Sequence, residues 1–269
     1  MNLPGPRRPS EFFDAYIFDL DGTVYLGEAL LPTAAETIEI LRALGHRVVF
    51  LSNNPTRTRG QYAAKLTRLG LPTPVRDIVT SSMVLVDFLG QHLPGGRLFV
   101  VGEKPLQDDL RAAGFRLSED PDQIDAVIAS FDRTFAYRKL QIAFDAIRAG
   151  ARFFATNADR YCPLPGGGEP DAAAIIAAIE ACTDTEVEVV VGKPSPQMAE
   201  AVLNLLDLPP ERCLLTGDRL ETDVRLGLEA GLVTALTLTG ATSEAALADS
   251  PTQPTYVLRR LSDLLPPRR

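Results

Sequence analysis

The sequence predicts an α/β protein in which a mostly parallel sheet is covered by helices. Segments with apolar residues at helical spacing end in a glycine, where a C-terminal cap belongs, and lead into short runs rich in β-branched residues. Helices alternating with such runs build parallel sheets. Several apolar runs also close on one polar or charged residue. In an open parallel sheet the carboxyl ends of the strands line the crevice that binds ligands. The alternation alone gives the fold class and leaves function open.

In chain order, "YIFDLDGTVYLG" (Tyr16 to Gly27) opens with three apolar residues that read as a short buried strand. Asp19 and Asp21 follow two positions apart, with Gly22 directly after. Like charges that close cost free energy unless something offsets them. "PTAAETIEILRALG" then reads as a helix capped by Gly45 and is followed by "HRVVFLSNN". The same unit recurs as "PLQDDLRAAG", as "YRKLQIAFDAIRAG" before "ARFFATN", and as "VRLGLEAG" before "LVTALTLTG". No repeat of fixed period appears, and the loop "PGGGEP" (Pro165 to Pro170) is the one biased tract. Four apolar runs end on a polar residue: "AYIFD" on Asp19, "RVVFLS" on Ser52, "VEVVVGK" on Lys193 and "RCLLTGD" on Asp218. One such ending is ordinary, because strands commonly run into polar loops. Four predict a single site holding two carboxylates, a hydroxyl and an ammonium.

A chain of 269 residues makes one large domain or two ordinary ones. Its 27 basic and 35 acidic residues give 27 − 35 = −8, which argues against nucleic-acid or anionic-membrane binding. Cys162, Cys182 and Cys213 are odd in number and form no C-x-x-C pair, which fits a reduced intracellular chain rather than a disulfide scaffold or zinc site. "MNLPGPRRPSE" lacks an apolar signal core, and no run approaches the ~18 apolar residues of a membrane span. A cytoplasmic protein is expected.

Several other readings of these residues fail. A calcium loop starting at Asp19 needs Gly and Glu where Val24 and Leu30 stand. "GKPS" (Gly192 to Ser195) lacks the P-loop glycine, since Val187 occupies its place, and Pro194 replaces the magnesium-binding hydroxyl. No G-x-G-x-x-G follows a strand. His46 and His92 stand apart from any cluster of potential ligands, so a histidine-centred hydrolytic triad has no support.

"DLDGT" (Asp19 to Thr23), "LSNN" (Leu51 to Asn54), "GKPSP" (Gly192 to Pro196) and "GDRLETD" (Gly217 to Asp223) resemble the four ordered motifs of haloacid dehalogenase-like phosphatases. The insertion between the second and third is similar to the C2-type cap of the NagD-like, 4-nitrophenylphosphatase branch, in which "FDRTF" (Phe131 to Phe135) and "ATNAD" (Ala155 to Asp159) find counterparts. The resemblance covers nearly the whole chain. It implies a Rossmann-like parallel-sheet core at residues 1–82 and 187–269, with an α/β cap inserted at 83–186 and two chain crossings acting as a hinge. It also implies hydrolysis of small phosphate monoesters (sugar, glycerol, glycolate, nucleotide or 4-nitrophenyl phosphate) and association as a homodimer.

Phosphate-ester hydrolysis needs a nucleophile, a proton donor for the leaving alkoxide and compensation of negative charge. Asp19 would attack phosphorus and become an aspartyl-phosphate. Asp21, two residues on in an extended segment, projects to the same side and can serve as acid and then as base. The family resemblance implies Mg²⁺ held by the Asp19 carboxylate, the Asp21 carbonyl and the Asp218 carboxylate, with Asp223 supporting the site from behind. It implies that Ser52 and the Asn53 amide hold phosphoryl oxygens, and that Lys193 pairs with both Asp19 and the phosphate. The cap stretch "YCPLPGGGEP" would present Tyr161 and Cys162 to the organic part of the substrate. Neither carries charge, so a small or moderately polar leaving group is expected. The alternatives are a phosphomutase, which shares the Asp pair, and an inactive phosphate-binding or regulatory protein on this fold. Cation pumps of the superfamily have Thr where Asp21 stands.

Overall fold

A computed structural model describes residues 8–267, so the stretch Met1 to Arg7 considered above lies outside the described residues. Two parallel sheets organise the chain. The larger has six strands in the order Tyr256–Leu258, Val233–Thr237, Cys213–Gly217, Ala15–Asp19, Arg47–Ser52 and Ile78–Thr80. Every neighbouring pair in it is parallel. Its middle strand, Ala15–Asp19, is buried throughout, as a strand covered on both faces must be. The second sheet has five strands in the order Val189–Val190, Arg152–Ala155, Ala126–Ala129, Arg97–Val101 and Arg116–Leu117, again all parallel.

The helices form where apolar spacing and caps agree. Ala34–Ala43 buries Ala34, Thr37, Ile38 and Leu41, the three-and-four spacing of one helical face. It stops before Gly45, whose φ of +87° suits a residue without a Cβ. Arg59–Arg68 starts with a capping box in which Thr58 and Gln61 satisfy each other's backbone amides. Ser81–His92 packs against both Lys104–Ala112 and Pro196–Leu206. Its Leu85, Phe88 and Leu89 belong to an apolar cluster that takes Ile17 and Val49 from the large sheet and Leu98, Val100 and Phe154 from the small one. The two sheets therefore share one continuous apolar core.

Two expectations change. The run "VEVVVGK" is not a core strand ending on Lys193. Only Val189–Val190 forms a strand, and it lies at the edge of the small sheet beside Phe154 and Ala155. Glu186 and Glu188 are exposed and alternate with the valines, a pattern for a half-covered edge and not for a central parallel strand. Lys193 sits beyond it, on the loop entering helix Pro196–Leu206. The expected divisions of the chain, at 82/83 and 186/187, fall inside helix Ser81–His92 and just before Val189–Val190, so the small sheet extends past residue 186.

The stretch "YCPLPGGGEP" is an antiparallel hairpin, Tyr161–Leu164 against Gly167–Pro170. Pro165 and Gly166 form its two-residue turn, with Gly166 at φ +82°.

Candidate active site

Parallel register brings the strand ends together. Asp19 closes the middle strand, Ser52 closes the strand beside it, and Asp218 directly follows Gly217 on the other side. All three are buried. Asp218 is seated between two glycines: a Cβ at either Gly22 or Gly240 would collide with its carboxylate. Its Oδ2 accepts from the Ala241 amide at 2.6 Å. Gly217 is equally constrained, because a Cβ there would meet Asp223.

Lys193 reaches this cluster from its loop. Its Nζ lies 2.5 Å from Asp19 Oδ1 and 2.6 Å from Asp223 Oδ1. Asn53 sets the loop's height, accepting from the Lys193 amide at 2.7 Å and donating to the Lys193 carbonyl at 3.2 Å. Asp223 belongs to a π-helical turn, Leu220–Val224, and its Oδ2 accepts from the Arg219 amide at 3.1 Å. Ser52 Oγ accepts from the Asn54 amide at 3.2 Å.

Three carboxylates face one ammonium here. Burial drives the Asp19 pKa well above the usual carboxylate range, with Lys193 pulling the other way and Asp223 and Asp218 adding to the rise. Burial, reinforced by the charge of Asp223, pushes Asp218 up to about 7. Burial works against the Lys193 ammonium, but Asp19 and Asp223 more than reverse that, and its pKa stands above the ordinary value. One oxygen from each of Asp19, Asp218 and Asp223 lies within 4.8 Å of the others. Asp19 Oδ2 is buried and makes no hydrogen bond. An unpartnered carboxylate oxygen beside two further carboxylates fits a hard divalent cation, which prefers oxygen donors.

Asp21 is half-buried, and its Oδ2 accepts from the Tyr25 hydroxyl at 3.2 Å. Burial raises its pKa, and Lys65 opposes the rise.

The small-sheet unit closes the other side. Tyr161, Cys162, Pro163, Asp159 and Asp171 line the pocket with the groups above. Asn54 Nδ2 lies 3.5 Å from Cys162 Sγ. Burial pushes the Cys162 thiol up to about 12, so it is a neutral, weakly polar surface at physiological pH. The structure thus brings together every residue that the sequence had singled out: Asp19, Asp21, Ser52, Asn53, Tyr161, Cys162, Lys193, Asp218 and Asp223. It adds Asn54, Asp159, Asp171 and Arg219, which sequence reasoning passed over. Asp159 closes "ATNAD" and Arg219 follows Asp218 in "GDRLETD". Their place inside motif-like stretches was the available signal.

Residues 16–116 match the family described as haloacid dehalogenase-like hydrolase, and residues 190–264 match a second description, HAD-hydrolase-like. The sugar-phosphatase AraL of Bacillus subtilis is 39% identical over 92% of this chain and 90% of its own length. The chain belongs to the haloacid dehalogenase-like hydrolases. Solved structures of the family agree. A 4-nitrophenylphosphatase from Thermotoga maritima superposes with a TM-score of 0.89 at 35% identity, covering 94% of this chain and 96% of that one. A glycerol phosphate phosphatase from Mycobacterium tuberculosis in complex with calcium gives 0.85 at 33% identity, covering 94% of this chain and 74% of that one.

Proposed function

We propose that the chain is a Mg²⁺-dependent phosphatase that hydrolyses small phosphate monoesters through an aspartyl-phosphate on Asp19. The observation that carries this reading is the Asp19 carboxylate itself: Oδ1 is held by Lys193, while Oδ2 is buried and unbonded beside Asp218. The named phosphatases among its relatives support the same reading.

Lys193 neutralises part of the negative charge that would repel an incoming phosphate, and Ser52 with the Asn53 amide would hold phosphoryl oxygens. As an Asp19 oxygen forms its bond to phosphorus, the ester P–O bond breaks and the leaving alkoxide takes the proton of Asp21. Burial favours that proton-bearing form of Asp21 before attack. Asp21 then accepts a proton from the water that displaces Asp19 from phosphorus, releasing phosphate and restoring both carboxyl groups. Asp19 and Asp218 would hold the metal together with the Asp21 carbonyl. Asp223 already uses one oxygen on Lys193 and the other on the Arg219 amide, which suits it to orienting the site. When bound, Mg²⁺ supplies positive charge against the phosphoryl oxygens.

The leaving-group side narrows the substrate class. Asp159 and Asp171 present acceptors there, Asn54 and Tyr161 offer further hydrogen bonds, and Arg219 is engaged by Tyr161 and Asp159. Hydroxyl-rich leaving groups, as in sugar or polyol phosphates, suit that lining, and a second carboxylate does not. The small-sheet unit serves as the cap, and pairing of two chains through it belongs to the same proposal. Phe135 and Tyr137 lie exposed on that unit. Among the described residues no helix is long and apolar enough to cross a membrane.

The test is 4-nitrophenyl phosphate turnover. Excess chelator should abolish it and Mg²⁺ restore it, and Asp19→Asn should retain less than about one per cent of wild-type turnover. Undiminished hydrolysis in chelator, or an active Asp19→Asn, would overturn the assignment.

A further inference from the structure

Asp159 sits in the connection between strand Arg152–Ala155 and the hairpin that begins at Tyr161. Its Oδ2 accepts from Asn157 Nδ2 at 3.0 Å, a contact within its own unit. The same oxygen accepts from Asn53 Nδ2 at 2.8 Å, across 106 positions of sequence and from the opposite side of the pocket. Its Oδ1 faces Arg219 Nη1 at 4.0 Å, and both side chains are well covered, at 10% and 15% exposure. Arg219 also donates from Nη2 to the Tyr161 carbonyl at 2.6 Å and lies over the Tyr161 ring, 4.7 Å from its centre. Two large-sheet residues thus grip one short segment of the cap.

We propose that Asp159 and Arg219 are positioning residues that clasp the cap shut over the phosphate site, and that Asn53 ties this clasp to the phosphate-binding loop. The inference rests on the phosphatase reading. Asn53 does two jobs with one amide. Its oxygen and nitrogen hold the Lys193 backbone, and the same nitrogen reaches Asp159. Opening the cap therefore removes a partner from the side chain that sets the height of Lys193. By reciprocity, an oxyanion that orders the loop favours the closed cap. A carboxylate suits position 159 because it accepts two amide donors while opposing a guanidinium in a covered site, where such a pairing counts for more than on the surface. An asparagine there would keep one acceptor and lose the charge.

Hydrogen exchange read by mass spectrometry on peptides spanning residues 161–170, without ligand and with Mg²⁺ plus orthovanadate, tests this beside steady-state kinetics. In Asp159→Ala the unliganded hairpin should exchange at least about tenfold faster than in the wild type, because the opening free energy of that segment falls. Vanadate should protect it less, and kcat/KM for a sugar phosphate should fall about tenfold or more. Asp159→Asn should be intermediate in both readouts, and Arg219→Lys should recover part of what Arg219→Ala loses. If Asp159→Ala melts below the assay temperature, Asp159→Asn and the Arg219 pair carry the test. Wild-type hairpin exchange and wild-type kcat/KM in these variants would overturn the clasp. A wild-type protein inactive on every phosphate monoester would overturn the phosphatase reading instead, and the unliganded exchange rates would then judge the clasp alone.

Discussion

Asp21 carries the sharpest expectation of any single side chain. Asp21→Asn removes the proposed proton donor but leaves Asp19, Lys193 and the carboxylates proposed to hold the metal in place. The loss should be large for alkyl phosphates, on the order of 10² to 10⁴ in rate, and smaller for 4-nitrophenyl phosphate, whose leaving group scarcely needs a proton. Equal losses on the two substrates, compared at saturating concentration, would remove the acid role from Asp21. At this scale the sequence was informative wherever a residue ends a strand or stands in a motif, as Asp19, Ser52 and Asp218 do. It placed Asp159 and Arg219 inside motif-like stretches without showing that they meet. What makes them matter is their mutual approach and their contacts with Asn53 and Tyr161, and nothing local in "ATNAD" or "GDRLETD" encodes a meeting between segments so far apart.

Among the elements, helix Ala172–Thr183 starts with Asp171, whose side chain caps it through the Ala172 amide at 2.6 Å and also accepts from Asn157 Nδ2 at 3.0 Å. Burial, with the nearby charge of Asp159, lifts this carboxyl from 3.8 to about 7. The folded chain therefore holds a proton there that the unfolded chain has released. Stability from this group is highest at low pH and declines as pH rises through the window from 3.8 to about 7. Asp171→Asn keeps a capping oxygen and should flatten that slope in urea melts taken at successive pH values. A slope identical to the wild type would mean the group is ionised in the fold. Helices such as Ala34–Ala43 were legible from their apolar spacing and the glycine that follows them. The strand Val189–Val190 was misplaced because a short valine run reads alike at a sheet edge and in a sheet centre, and only the pairing with Phe154 and Ala155 separates the two.

For the whole molecule, two sheets close on one pocket, and the hairpin Tyr161–Pro170 brings the cap's contribution to it. Tyr161→Ala together with Cys162→Ala should reorder a panel of phosphorylated sugars, polyols and acids ranked by kcat/KM, because those side chains line the pocket on the side proposed to receive the leaving group. Turnover of 4-nitrophenyl phosphate should shift less, since the groups that act on phosphorus stay in place. An unchanged ranking would reduce the hairpin to a connector. The broad plan, a parallel core interrupted by a second α/β unit, was legible from the order of the motifs. The apolar core shared between the units was not, because membership in it depends on how Ser81–His92 packs against both.

The middle position of strand Ala15–Asp19 has a consequence for synthesis. Its partner on one flank, Arg47–Ser52, follows it closely in the sequence, whereas Cys213–Gly217 on the other comes only after the whole small-sheet unit. A nascent chain thus carries an open, apolar strand edge while the ribosome works through the cap, which makes that interval the period of greatest exposure to aggregation. Asp218 and Asp223 leave the ribosome later still. On the proposed phosphatase reading, the site is incomplete until both of these carboxylates have been made.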